Sequence, residues 1–153
     1  MCIRDRNKEN IKYFKKLIQE RATKKPIAYI LNKKIFWKNE FYVNKNTLIP
    51  RPDTEIIVEQ ILKVTKNKKN LRILDIGVGS GCILLSILKE KKNFYGIGID
   101  ISKNSLDISR INAKMLFVDE RVKFFHSDVD KFDQGKYDLI AVSYTHLTLP
   151  TKA

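Results

Sequence analysis

The chain has 153 residues, 43% apolar and 31% charged, with a formal net charge of +13; that suits one ordinary domain with its own core, or a small piece joined to part of a larger one. No apolar run approaches the roughly 18 residues that a membrane-spanning helix needs, and the N-terminus lacks the apolar stretch of a secretion signal, so a cytoplasmic protein with no membrane partner is expected. Cys2, Cys82, His126 and His146 are the only cysteines and histidines, and their spacing assembles neither a metal site nor a disulfide framework.

Residues 7–24 read as an amphipathic helix in which Ile11, Phe14, Leu17 and Ile18 recur at helical spacing among lysines. Such a stripe is normally core packing, and Pro26 ends it. Residues 27–44 change period. Ile35, Phe36 and Trp37, a polar pair Lys38-Asn39, and then Phe41, Tyr42 and Val43 suggest a β-hairpin. In TLIPRPDTEIIVEQIL (47–62), Pro50 and Pro52 fix an extended strut through Arg51, which suits a functional side chain. Asp53 or Thr54 can cap the helix that follows, with Glu55 in its first turn and Ile57, Ile61 and Val64 as apolar positions. TKNKKN (65–70) is a polar basic loop and a candidate boundary.

Residues 1–70 hold 18 lysines and arginines against 7 acids, whereas residues 71–153 hold 12 against 10. The basic half fits an anionic partner such as RNA, a ribosome or an acidic protein. Lysine-rich solvated surface explains it equally well.

From Leu71 onward strands and helices alternate. LRILDI (71–76) is a strand, Cys82–Lys91 a helix, and FYGIGI (94–99) a strand ending at Asp100. Ser102 caps a helix with apolar positions Leu106, Ile111 and Met115; VKFFH (122–126) is a strand ending at Ser127-Asp128, and YDLIAV (137–142) is another. This order predicts an α/β fold with a parallel sheet and right-handed crossovers. Ligands of such sheets bind outside the carboxyl ends of the strands. The stretch ILDIGVGSGC (73–82) is the grammar of strand, tight glycine turn and helix start. Asp75, Gly77, Gly79, Gly81, Asp100 and Asp128 all fall at or near those carboxyl ends.

Two cofactor classes fit an acid at the end of the second strand, where a carboxylate can accept hydrogen bonds from two ribose hydroxyls. A dinucleotide would want G-x-G-x-x-G, but Cys82 stands where its third glycine would sit. The adenosine of S-adenosyl-L-methionine carries no phosphate and needs only close backbone approach. Three acids around one pocket suit its cationic sulfonium better than a pyrophosphate. Asp75 would meet the amino group of its methionine moiety, and Asp128 the exocyclic amine of its adenine.

LIPRPDTE (48–55), ILDIGVGSGCI (73–83), Ile-Asp-Ile-Ser (99–102), Asn112-Ala113 and Ser127-Asp128 together resemble the release-factor glutamine methyltransferases, the HemK/PrmC type of class I S-adenosyl-L-methionine-dependent enzyme. Pro26, Tyr29-Ile30-Leu31 and Phe36 resemble that family's linker and hairpin. Asn32 stands where the family usually has glycine, and asparagine tolerates the left-handed conformation. The likeness runs roughly over residues 7–140, with LIPRPDTE its most discriminating stretch.

The resemblance implies an incomplete Rossmann-like class I methyltransferase sheet, its first four parallel strands, preceded by a helix and a β-hairpin. It implies that Gly77, Val78, Gly79, Ser80 and Gly81 line the methionine moiety beside Asp75, and that Asp100 and Ile101 hold the ribose. Asp128 with Val129 would flank the adenine, and Pro50, Arg51 and Pro52 would sit at the substrate side of the pocket mouth. The reaction implied is methyl transfer to the side-chain amide of the glutamine in the Gly-Gly-Gln motif of class I peptide chain release factors.

That family aims the weakly nucleophilic amide with an Asn-Pro-Pro-Tyr motif directly after the fourth strand; such pre-positioning can supply roughly 7–11 kcal/mol. Here the chain reads AVSYTHLTLPTKA instead, so no catalytic residue is assigned and no turnover is expected. MCIRDR and SYTHLTLPTKA resemble translated sequencing-adapter sequence, and a fragment is expected: a non-native leader at 1–6, the end of an N-terminal helical domain with the hairpin linker at 7–46, the first part of the cofactor-binding domain at 47–142, and a non-native tail at 143–153. The alternatives are a methyltransferase for exocyclic amines of nucleic acid, a dinucleotide-dependent oxidoreductase, and an RNA-binding module that uses the basic half.

Overall fold

The structure is a computed structural model that describes residues 7–142; the expected leader at 1–6 and tail at 143–153 lie outside the described residues. Asn7 accepts from the Glu9 N–H and starts α1 (Lys8–Ala22). Lys24 at φ 66° breaks the run, and Pro26 precedes a short helix α2 (Ile27–Leu31). The hairpin is therefore shorter than the sequence suggested, because residues 27–31 are helical. Asn32, at φ 52° and ψ 32°, closes α2 in the left-handed conformation.

The hairpin pairs β1 (Lys33–Phe36) with β2 (Asn39–Tyr42), and Phe36 faces Asn39. Its turn is thus Trp37-Lys38, one residue earlier than the polar pair Lys38-Asn39 indicated. Trp37 sits there at φ 55°, which an L-residue tolerates only with support. Its N–H donates to Glu55 Oε1 at 2.9 Å and its indole N–H to Glu90 Oε1 at 3.1 Å. Beyond the hairpin, Arg51 is extended between its two prolines at φ −93° and ψ 143°, as expected. A 3-10 turn at Pro52–Thr54 leads into α3 (Glu55–Val64). No side chain caps α3, so neither Asp53 nor Thr54 has the capping role read from sequence.

Then follow β3 (Arg72–Ile76), α4 (Cys82–Glu90), β4 (Tyr95–Asp100), α5 (Lys103–Met115), β5 (Val122–His126) and β6 (Leu139–Val142). The four strands form one sheet in the order β5-β4-β3-β6, every pair parallel. Gly96 and Gly98 let neighbours press onto β4: a Cβ on Gly98 would lie 2.8 Å from Val78 and 2.9 Å from the Phe124 ring, and one on Gly96 2.8 Å from Leu84.

One apolar cluster joins Phe36 and Phe41 of the hairpin to Val58 and Ile61 of α3, Ile73 of β3 and Ile83 to Leu88 of α4. The two hairpin rings meet edge to face, centroids 6.1 Å apart. This cluster contains no residue of α1. The stripe expected to be core packing lies open, with Phe14 and Ile18 more than half exposed. Two other helices face differently from their sequence reading. On α3 the inward residues are Val58 and Ile61, while Ile57 and Val64 are exposed; on α5, Ile111 and Met115 point outward.

Arg121, just before β5, closes the far end of α4. It donates to the carbonyls of Leu88 (2.7 Å) in the last turn of the helix, of Lys91 (3.1 Å) just after it and of Phe94 (3.0 Å) before β4; carbonyls of a last helical turn have no partner inside the helix. Arg121→Met keeps the stem and removes all three bonds. Urea denaturation is expected to show a loss of about 2 kcal/mol, in line with half-buried bonds to a charged donor.

Candidate functional site

At the carboxyl end of β3 the three glycines turn the chain back toward α4, with φ of 73° at Gly77, 56° at Gly79 and 82° at Gly81, all left-handed and cheap only for glycine. The turn is pinned by the end of β4. Ile99 O accepts from both Gly77 N (2.9 Å) and Val78 N (3.0 Å), and Asp100 Oδ2 accepts from Gly79 N at 2.9 Å. The other Asp100 oxygen accepts from Ser102 N at 2.8 Å, and Ser102 Oγ caps α5 by accepting from Ser105 N. Ser127 N donates to Asp100 O, and His126 Nε2 lies 2.9 Å from Ile101 O, so the end of β5 is tied to the same loop.

A cleft of about 520 Å³ opens over these strand ends. One wall is Gly77, Val78, Gly79 and Ser80; another is Asp100, Ile101, Asp128 and Val129; Leu48, Ile49, Pro50 and Arg51 cross its mouth. The structure thus gathers most of the residues singled out from sequence. Pro52 and Gly81 stand outside the lining. Of the charged residues on the wall two are carboxylates, Asp100 and Asp128, and one is a cation, Arg51.

Asp75 lies beneath the cleft, outside its lining. It is 1% exposed, and neither carboxylate oxygen has a hydrogen-bond partner among the described residues. Burial pushes its pKa up from 3.8 to about 7; the Leu84 amide opposes this without closing a hydrogen bond, and the nearby Asp100 charge adds to it. Burial likewise pushes the Cys82 thiol up to about 12, so Cys82 is a neutral wall residue. Among the described residues no three His, Cys, Asp or Glu side chains gather as a metal site, and no helix is long and apolar enough to cross a membrane.

Residues 67–153 match the family model described as a methyltransferase domain. The chain belongs to the methyltransferase-domain family. It is 40% identical over 125 residues to a release factor glutamine methyltransferase of Caulobacter vibrioides, covering 82% of this chain and 43% of that protein. To a protein of the same name from Buchnera aphidicola subsp. Acyrthosiphon pisum it is 46% identical over 129 residues, 84% of this chain and 46% of the relative. It therefore spans less than half the length of these relatives. The crystal structure of a SAM-dependent methyltransferase from Geobacter sulfurreducens in complex with S-adenosyl-L-homocysteine superposes with a TM-score of 0.51 at 26% identity, over 60% of this chain and 36% of that one.

In this methyltransferase domain the sequence reading missed the apolar rim, Leu48, Ile49, Ile57 and Val142, whose residue types look like ordinary core. It also assigned no role to Ser105, Ser109 and Asn112, all buried on the inner face of α5. Their signal was available: with Ile108 they fall at i, i+3, i+4 and i+7, one helical face.

Asp75 makes stability depend on pH. Its folded value lies above its ordinary one, so ionisation opposes folding: this group's contribution falls as pH rises from about 4 to about 7 and is level above that. Asp75→Asn removes that slope. Denaturation midpoints are expected to place the variant above the parent chain at pH 8 and to bring the two together near pH 4; equal pH slopes in both proteins would contradict the burial account.

Proposed function

We propose that the cleft holds S-adenosyl-L-methionine, and that the protein to which this chain corresponds methylates the glutamine side-chain amide in the Gly-Gly-Gln motif of class I release factors. The observation that carries the first part is Asp75, a buried carboxylate with no hydrogen-bond partner among the described residues, set under a glycine turn that leaves room above it. A Cβ on Gly79 would meet only Gly77 O, 3.8 Å away. An orphaned carboxylate and an open backbone cradle fit a nucleoside that carries an amino-acid tail.

When bound, that cofactor supplies an electrophilic methyl group on a sulfonium. The chain's own residues supply the rest. Gly77 to Ser80 offer close backbone approach to the amino-acid end, Gly81 turns the chain into α4 behind them, and Asp75 offers the ammonium a counter-charge from beneath. Asp100, with lone pairs left beside its bonds to Gly79 and Ser102, accepts from the ribose, next to Ile101. Asp128 and Val129 flank the base. Arg51, on the strut that Pro50 and Pro52 stiffen, lines the cleft and would offer its guanidinium to the carboxylate of the amino-acid tail. The acceptor glutamine enters past that strut.

The release-factor substrate is supported by LIPRPDTE at the mouth and by the printed names of the relatives. After β6 this chain has Ser-Tyr-Thr-His (143–146) where the family carries Asn-Pro-Pro-Tyr, so we assign it cofactor binding without turnover. Residues 7–46 serve as helical lead and hairpin linker, and 47–142 as the cofactor-binding part.

Calorimetry with S-adenosyl-L-homocysteine is expected to show weak binding; none at all would overturn the cofactor assignment. Arg51→Ala is expected to weaken that binding about fivefold, a modest figure because the side chain is exposed. The same variant should leave affinity for 5′-methylthioadenosine, which lacks the amino-acid tail, unchanged. A Gly-Gly-Gln peptide should stay unmethylated by this chain and be methylated once Asn-Pro-Pro-Tyr and the strands after it are supplied. A nucleic-acid acceptor used in its place by that longer protein would sink the release-factor reading.

A further inference from the structure

The inner face of α5 carries three polar side chains beside its apolar Leu106, Ile108 and Ala113, where a helix packed on a sheet would ordinarily be apolar throughout. Ser105, Ser109 and Asn112 are 6%, 0% and 0% exposed. Each donates to a main-chain carbonyl outside the helix: Ser105 Oγ to Asn46 O (2.9 Å), Ser109 Oγ to Gly79 O (2.7 Å), and Asn112 Nδ2 to both Ser80 O (2.8 Å) and Tyr42 O (3.0 Å). Asn112 Oδ1 in turn accepts from Tyr42 N at 2.7 Å. The amide of Asn112 therefore stands in for a neighbouring strand at the end of β2, meeting both polar groups of Tyr42. With the same nitrogen it holds a carbonyl of the glycine turn.

We propose that Asn112 is a positioning residue for the cradle: it holds the glycine turn in the form that receives the cofactor, and it transmits the turn's occupancy to the hairpin. The proposal rests on the cofactor reading above. Ser80 O and Tyr42 O share one donor atom, so the turn cannot rotate without straining or releasing the hairpin edge. Leaving the buried Ser80 carbonyl or the half-buried Tyr42 carbonyl without its donor is costly whichever one moves. Ser109 fixes the preceding carbonyl, so two successive peptide planes of the turn are set from α5. Ligand that orders the turn thereby orders residue 42, well outside the cleft lining.

Two measurements on the 153-residue chain test this. In the wild type, residue-resolved amide exchange is read with and without S-adenosyl-L-homocysteine. Tyr42 N–H, which donates to Asn112 and lies off the cleft, is expected to exchange about tenfold more slowly when ligand is bound. Affinity for the same ligand is then measured for Asn112→Ala, for the milder Ser109→Ala, and for Arg121→Met, a destabilised control at the opposite end of the sheet. The first is expected to bind about tenfold more weakly and the second several-fold more weakly; the control should bind as the parent does. Unchanged Tyr42 exchange on binding overturns the proposal even if Asn112→Ala fails to fold. Equal affinity across folded variants, whatever their stabilities, also overturns it and leaves Asn112 a structural residue. A wild-type chain that does not bind S-adenosyl-L-homocysteine overturns the cofactor reading itself and this inference with it.

Discussion

The end of β4 is the template for the site. Three successive amides of the glycine turn are received there, two by the carbonyl of Ile99 and one by the carboxylate of Asp100. A turn of left-handed residues has little to hold it on its own, because its amides cannot pair with each other in a regular ladder. Here Gly81 N reaches back to Val78 O within the turn, and the amides of residues 77 to 79 find acceptors at the end of the adjacent parallel strand. The register of β3 on β4, with Ile76 beside Ile99, is what brings turn and acceptors level. Gly98 completes the arrangement by letting Val78, inside the turn, lie against the strand. The cleft is thus a consequence of strand pairing more than of the glycines alone.

That geometry puts Asp75 in an unfavourable place. Its neighbours on β3 are apolar, Leu74 buried and Ile76 half-buried, and Asp100 lies close enough to raise its pKa further. A side chain chosen for stability alone would be apolar. A carboxyl retained there, near neutrality in its titration, is poised to ionise fully when a cation arrives above it. The fold carries a modest electrostatic burden that a cationic ligand would relieve. Strain of this kind concentrates at functional sites rather than in scaffolding.

The parallel sheet was legible because its signal is local. Apolar runs of five or six residues, each followed by a helix-length segment, leave few alternatives, and the glycines mark where the backbone turns. The cleft residues were legible for the same reason: strand ends in such a sheet converge whatever the detail. What escaped the sequence depended on partners distant along the chain. Trp37 could not be placed at a turn by its own preference, since Glu55 and Glu90 support it. The stripe of α1 had the spacing of a packed helix but no role in the core that α3, α4 and the hairpin share. On α5 the apolar positions misled in part: Leu106 is buried as expected, but Ile111 and Met115 face outward, and two serines and an asparagine face inward. They are buried to satisfy carbonyls of the turn and hairpin, and apolar periodicity is blind to that purpose.

The charge on the wall also separates the two cofactor classes that an acid at the end of β4 leaves open. A dinucleotide brings a dianionic pyrophosphate to the start of the helix after the glycines. In this cleft that group would lie among Asp100, Asp128 and the buried Asp75, with the exposed Arg51 the one cation among the described lining residues to offset them. Cys82 opens α4 with a side chain on the cleft wall, where a dinucleotide site wants bare backbone. A ligand with a sulfonium and an ammonium meets the same acids with the opposite sign. Backbone shape admits both ligands, and it is the placement of three carboxylates under and around the turn that favours the cation.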